Sequence, residues 1–180
     1  MATTHVPMTA EQFDALPVAE EGPRYELLDG ELIEVSSASG RHNYIAGLLA
    51  AFINIFLLRN PIAAVLPETE FALGESRLQP DIAVLSRANF ERMGEGRSPV
   101  RELPAIVVEI ASPSESAIKM EGKITSYLGA GVSEVWVIYP DTQHLFVHTT
   151  SGAKLFDRNA VLETPLLPGW SLRVSEIFRD

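Results

Sequence analysis

Two carboxylates stand where carboxylates are costly. Asp81 follows Pro80 at the head of the apolar run Asp81-Ile82-Ala83-Val84-Leu85, and Glu109 lies near the end of the next, Ala105-Ile106-Val107-Val108-Glu109-Ile110. Both runs are rich in branched residues and bounded by Pro80, Pro104 and Pro113, the pattern of short buried strands. If the two pair antiparallel, the start of one faces the end of the other and the acids come side by side. Charge removed from water costs on the order of several kcal/mol unless it is paired. A divalent cation would meet that cost, and so would a structural arginine such as Arg24 or Arg77.

The segment after Glu109 supplies a third candidate. Residues 115–130 read as a helix closed by Gly131, whose missing Cβ suits a left-handed helix end. Met120, Ile124, Tyr127 and Leu128 recur at steps of three and four and mark its apolar stripe. At 100° per residue, Lys123 lies roughly 85° from the centre of that stripe and Lys119 roughly 125°. Lys123 is therefore nearer the packed edge, from which a four-carbon stem can carry its ammonium toward the acids. Either lysine could instead be an ordinary solvated helix residue.

Composition bounds the chemistry. Cysteine is absent, so disulfides and thiolate metal sites are excluded, and a cation must be held by oxygen or by the four histidines. Oxygen ligands suit magnesium, manganese or calcium. The net charge of −10 disfavours a broad basic surface for nucleic acid, although a small metal-bearing cleft can be locally positive on an acidic molecule. His5, His144 and His148 show no ligand spacing with a second histidine or carboxylate.

The elements that must position these groups follow from pattern. Thr9 suits the N-cap of a short helix over residues 8–16. Residues 24–28 and 31–35 flank Asp29-Gly30, a strong hairpin signal. Residues 42–59 are almost continuously apolar and predict a helix covered on more than one side. Residues 63–73 read as one further strand, and 86–103, largely polar with Gly94 and Gly96, as a mobile connection. A buried strand over 135–139, a hairpin around Ser151-Gly152 and a small β tail complete the chain, with Trp136 and Trp170 as core residues.

One domain spanning 1–180 is expected, because no Pro/Gly/Ser-rich linker divides the chain. The fold class is α/β (α+β), with helices on either side of a mixed sheet. No secretory signal is visible over residues 1–7, and the most apolar segment, 44–58, is shorter than the roughly 18–20 residues that cross a bilayer. A cytoplasmic protein with no membrane role is expected. A homodimer is a further expectation, since the long apolar helix and the aromatic tail offer more apolar surface than a small monomer readily covers.

In order and spacing, these motifs resemble the restriction-endonuclease-like fold with a PD-(D/E)XK active site, and in particular its branch of compact bacterial endonuclease-like proteins. The resemblance runs along most of the chain. It is carried by Tyr25-Glu26-Leu27 with Asp29-Gly30-Glu31, His42, Pro80-Asp81, Val108-Glu109 leading to Ser112-Pro113, and Lys123 with Tyr127. Gly131-Val132, Glu134, Trp136-Val137 and Leu167-Pro168-Gly169-Trp170 extend it. It implies a mixed central sheet flanked by helices, with an N-terminal hairpin and a C-terminal β tail.

The resemblance also implies roles. Asp81 and Glu109 become ligands of Mg2+, for which Mn2+ can substitute, Lys123 orients or activates water, Glu26 is an accessory acid, and His42 lines the same cleft against substrate. The implied reaction is hydrolysis of a phosphodiester, with DNA as the nucleic-acid partner by family analogy. The superfamily places its lysine two residues after the second acid, whereas this chain has Ala111 there, so Lys123 or Lys119 must stand in. That vacancy, with the acidic surface, leaves a second reading open, a catalytically inactive nuclease fold serving as a protein-interaction module. Locally, Glu26 could simply pair with Arg24 or cap the hairpin, His42 could bond nearby backbone, and Glu70 is a reserve ligand.

Overall fold

A computed structural model describes residues 7–17, 22–35, 37–95, 98–113 and 115–179; His5 and Gly96 lie outside them. The chain first forms α1 (Ala10–Asp14), where the Thr9 hydroxyl accepts from the Gln12 amide and the Gln12 side chain accepts from the Thr9 N–H. Strands β1 (Arg24–Leu28) and β2 (Glu31–Val35) then pair antiparallel. Their turn needs consecutive positive φ angles, which Asp29 (49°) and Gly30 (87°) supply.

Helix α2 (Gly40–Leu57) starts at Ser39, whose hydroxyl accepts from the His42 amide, and buries Ile45, Leu49, Ile53 and Leu57 along one face. The single strand expected over 63–73 is in fact two. Strand β3 (Ala63–Pro67) ends where Glu68 takes a φ of 43°, and β4 (Phe71–Leu73) turns about Gly74 into β5 (Ser76–Leu78) in a different sheet. The break falls at Pro67-Glu68-Thr69-Glu70, the one polar stretch between two apolar runs. Strand β6 (Ile82–Ser86) follows.

The connection expected to be mobile contains α3 (Arg87–Met93), capped by the Ser86 hydroxyl. The Asn89 amide side chain donates to the Leu103 carbonyl at 2.7 Å, and Val100 exchanges backbone bonds with the chain on either side of Phe71. These partners are remote in sequence, so a polar local pattern gives no sign of them. Then come β7 (Ile106–Ile110), α4 (Ala117–Ala130) closed by Gly131 at φ 103°, β8 (Glu134–Tyr139), and the hairpin of β9 (His144–Thr149) and β10 (Gly152–Phe156). Strands β11 (Val161–Glu163) and β12 (Ser171–Arg173) and a 3-10 turn over Val174–Phe178 form the tail.

Six strands build the central sheet in the order β10-β9-β8-β7-β6-β3, and the β1–β2 hairpin extends a second sheet in the order β2-β1-β5-β4. In the central sheet β7 and β8 are parallel, joined by the α4 crossover, and the other pairs are antiparallel. This is the mixed α+β architecture with hairpin and β tail that the sequence implies.

Strand alternation sorts the core into two faces. Ile82, Val84, Ile106, Val108 and Ile110 pack with α2 and the tail, while Ala83, Leu85 and Val107 pack with Met120, Ile124 and Tyr127 of α4. The aromatic tail does not wait for a partner's cover: Trp170 stacks on Trp136 at 5.7 Å, and Ile177 and Phe178 are buried in the α2 core. Among the described residues no helix is long and apolar enough to cross a membrane.

Candidate active site

The β6–β7 ladder brings the two acids together. Its last pair is Ile82↔Val108, so one further step would set Asp81 opposite Glu109. Instead the Asp81 side chain takes over at the end of the ladder, with the Ile110 N–H donating to Oδ2 at 2.6 Å and His42 Nε2 bonding Oδ1 at 2.7 Å. His42 reaches it from the first turn of α2. Burial and the hydrogen bond act oppositely on this imidazole; the bond to Asp81 dominates and raises its pKa, favouring the charged form.

Glu109 shares the parity of Val107 on β7, and its bonds run to α4. The Tyr127 hydroxyl donates to Glu109 Oε1 at 2.6 Å, and Lys123 Nζ lies 3.2 Å from Oε2. Lys123 is also 2.9 Å from Glu26 Oε2, on β1. Glu26 is held in turn by the Gln79 N–H, which donates to Oε1 at 2.7 Å. All three charged residues are buried, at 3% exposure for Glu26, 5% for Glu109 and 6% for Lys123. Among the described residues no buried side-chain nitrogen or oxygen is left without a hydrogen-bond partner.

Close approach of α4 makes the Lys123–Glu26 contact possible. A Cβ at Gly122 would lie 2.9 Å from Leu28 Cδ2, so this glycine lets the helix rest on the strand that carries Glu26.

The electrostatics are those of too much negative charge in too little water. Burial pushes the Glu109 carboxyl up to about 8, against the pull of Lys123 and with further push from Asp81 and Glu26. For Lys123, burial works against the charge, but Glu109 and Glu26 outweigh it and hold the ammonium firmly protonated. Tyr127, buried beside these acids, is raised well above the usual phenol value and stays a donor. Glu115, at the mouth, is raised chiefly by burial.

The charged groups line one cleft of about 110 Å³, room for several waters, with Tyr127 behind its wall. Asp81, Glu109, Lys123, Glu26 and His42 are all in its wall. Lys119 lines it too but is exposed, whereas Lys123 is the lysine in contact with the acids. Neither arginine considered as a structural partner neutralises them. Arg77 forms a two-point pair with Asp14 at 2.7 and 2.8 Å, and Arg24 lies 3.9 Å from Glu68. Glu70 accepts from the Ser98 hydroxyl and is not part of the cleft wall.

A family model described as "Uma2: Putative restriction endonuclease" matches residues 10–175. The chain belongs to the Uma2 family. A crystal structure described as "a putative nuclease belonging to DUF820 from Anabaena variabilis" is similar to it with a TM-score of 0.83 at 27% identity, covering 96% of this chain and 98% of that one. No curated protein matches.

Sequence reasoning missed parts of this Uma2 cleft. The Ile110 and Gln79 amides carry no side-chain signature, so no residue pattern could have found them. Glu115 was missed because it precedes the Ser116 cap of α4, whereas Lys119 and Lys123 follow four residues apart on the helix itself. At Ala111, where the superfamily motif has its lysine, the N–H donates to the Ile138 carbonyl and the chain simply extends the sheet.

The donor set suits a hard divalent cation. Glu26, Asp81, Glu109 and Glu115 outnumber Lys123 and His42, and the available ligands are oxygens and one imidazole. Among the described residues no three His, Asp or Glu side chains converge as a ready-made cage. Magnesium does not require one, since it commonly takes one or two carboxylates and completes its shell with water and substrate oxygen.

Proposed function

We propose that this Uma2 protein is a nuclease that uses Mg2+, or Mn2+ in its place, to hydrolyse phosphodiester bonds of DNA. The observation that carries the reading is the contact of Lys123 with Glu109 and Glu26 beside Asp81, a buried cation among acids at the end of two core strands. Family membership and the solved neighbour support a nuclease role. The choice of DNA rests on family analogy.

Asp81 and Glu109 would hold the cation, which supplies polarisation of the scissile phosphate and a bound water of lowered pKa. The rest falls to the chain's own groups. His42 and the Ile110 N–H fix the two oxygens of Asp81, and Tyr127 fixes Glu109. Lys123 is held protonated by its neighbours, so it serves by orienting water and countering charge on the phosphate and not by accepting a proton. Glu26 is the acid that keeps the ammonium in place.

The test is to incubate plasmid, linear duplex, single strand, RNA and nucleotides with the protein and Mg2+ or Mn2+, beside Asp81→Asn and Glu109→Gln. Calorimetry should show cation binding that both substitutions abolish, and DNA cleavage should vanish with it. If the cation neither binds nor raises the melting temperature, and Asp81→Asn is as stable as the parent, the chain is an inactive nuclease fold and the protein-interaction reading replaces this one.

A further inference from the structure

One face of α2 has no partner among the described residues. Tyr44, Leu48, Ala51, Ile55 and Leu58 recur at steps of four, three, four and three, the spacing of a coiled-coil seam. The buried set Ile45, Leu49, Ile53 and Leu57 lies roughly 160° around the helix from this stripe. Tyr44 is 49% exposed, Ile55 64% and Leu58 84%, and a Cβ added at Gly47 would meet nothing within 4 Å. Four of the five stripe residues are therefore open to solvent, with Leu48 half-buried among them.

Two features select the occupant. No charged side chain occurs between His42 and Arg59, in a protein of net charge −10, so this is where a second copy can approach without bringing carboxylates together. The spacing of the stripe is also close to symmetric about its centre, at seven and three residues before Ala51 and four and seven after it. Ala51 is its midpoint, with Leu48 and Ile55 flanking it and Tyr44 and Leu58 at the ends. An antiparallel pair would set Tyr44 against the partner's Leu58 and Leu48 against the partner's Ile55, with the two small Ala51 residues meeting on the two-fold axis. A parallel pair would lay both helix dipoles the same way and bring the two Arg41 side chains together.

We propose that two copies of this chain associate through an antiparallel α2–α2 contact centred on Ala51. The seam over residues 44–58 is only about 21 Å long, so the dimer dissociates on dilution. The contact is isologous, as a two-fold dimer requires, and it stands whether or not the cleft cuts phosphodiesters.

Light scattering across a dilution series tests it, with protein over about 1–200 µM. The parent chain should move from monomer to dimer mass, and Ile55→Glu should stay monomeric, or bind itself at least about tenfold more weakly, with an unchanged circular dichroism melt. Because the chain has no cysteine, Ala51→Cys carries the only thiol and should form a disulfide-linked dimer on mild oxidation. A parent chain monomeric throughout, or a dimer that Ile55→Glu leaves intact, would overturn the contact. A dimer without the Ala51→Cys disulfide would overturn its centred register. Monomers that float with phosphatidylcholine vesicles would assign the stripe to lipid.

Discussion

The Lys123 ammonium lies 2.9 Å from the Glu26 carboxylate, although one group belongs to the crossover helix and the other to the N-terminal hairpin. Both are buried, so the pair ties two separate sheets to one charge. Lys123→Met leaves Glu26 and Glu109 without their cation, and breaking a buried pair from one side costs about 3–5 kcal/mol. Urea denaturation should show a loss of that size at pH 8 and a smaller one at pH 5, where Glu109 relieves itself by taking a proton. Cleavage should fall by about 10²-fold or more.

Glu109 sets a second expectation. Its folded pKa is raised from 4.5 to about 8, chiefly by burial, so the folded protein holds this proton more tightly than the unfolded chain does. The associated stability is fully present below 4.5 and is lost as pH rises through about 8. The melting temperature of the cation-free protein should fall across that window. Glu109→Gln should flatten the profile and melt above the parent at pH 8; a parent profile that is already flat would refute the assignment.

The His42–Asp81 pair shifts stability with pH in the same direction. The His42 pKa is raised from 6.5, mainly by its bond to Asp81, so the ion pair stabilises the fold below 6.5 and fades as pH rises through the raised folded value. His42→Gln should therefore cost most at pH 6, about 1–2 kcal/mol, and least at pH 9. Paired melts at the two pH values measure the difference.

Gly122 and Leu28 are expected to behave as a coupled pair. Gly122→Ala gains up to about 1 kcal/mol of helix preference, yet its methyl group would press on Leu28 and push Lys123 away from the acids. Cleavage should drop more than stability does, and the double variant Gly122→Ala with Leu28→Ala should recover it. Equal activity in the parent and the single variant would show that the close approach is dispensable.

Local backbone demand was readable from residues. Asp29-Gly30 announces the hairpin because positive φ angles fall on those two positions, and Gly131 closes α4 for the same reason. The strands β6 and β7 are legible as branched runs between prolines, and the helical arithmetic at Lys123 points toward the packed edge that it occupies. Where structure depends on remote partners, the pattern failed. At Pro67-Glu68 the chain leaves the central sheet for a different one, a pairing that the local residues do not specify, and part of what the polar α3 binds is the distant Leu103 carbonyl.

By itself, the sequence determined that one carboxylate would sit at the head of an apolar strand and another within the next, and that both would need positive charge, since burial and charge are properties of each residue with its neighbours. Which charge answers them was decided by tertiary structure alone. Arg77 goes to Asp14 and Arg24 to Glu68, while Lys123 reaches Glu26 and Glu109 because α4 rests directly on β1. Coulomb attraction between charged groups depends on a few ångströms of separation in space, and separation along the chain carries almost none of that information.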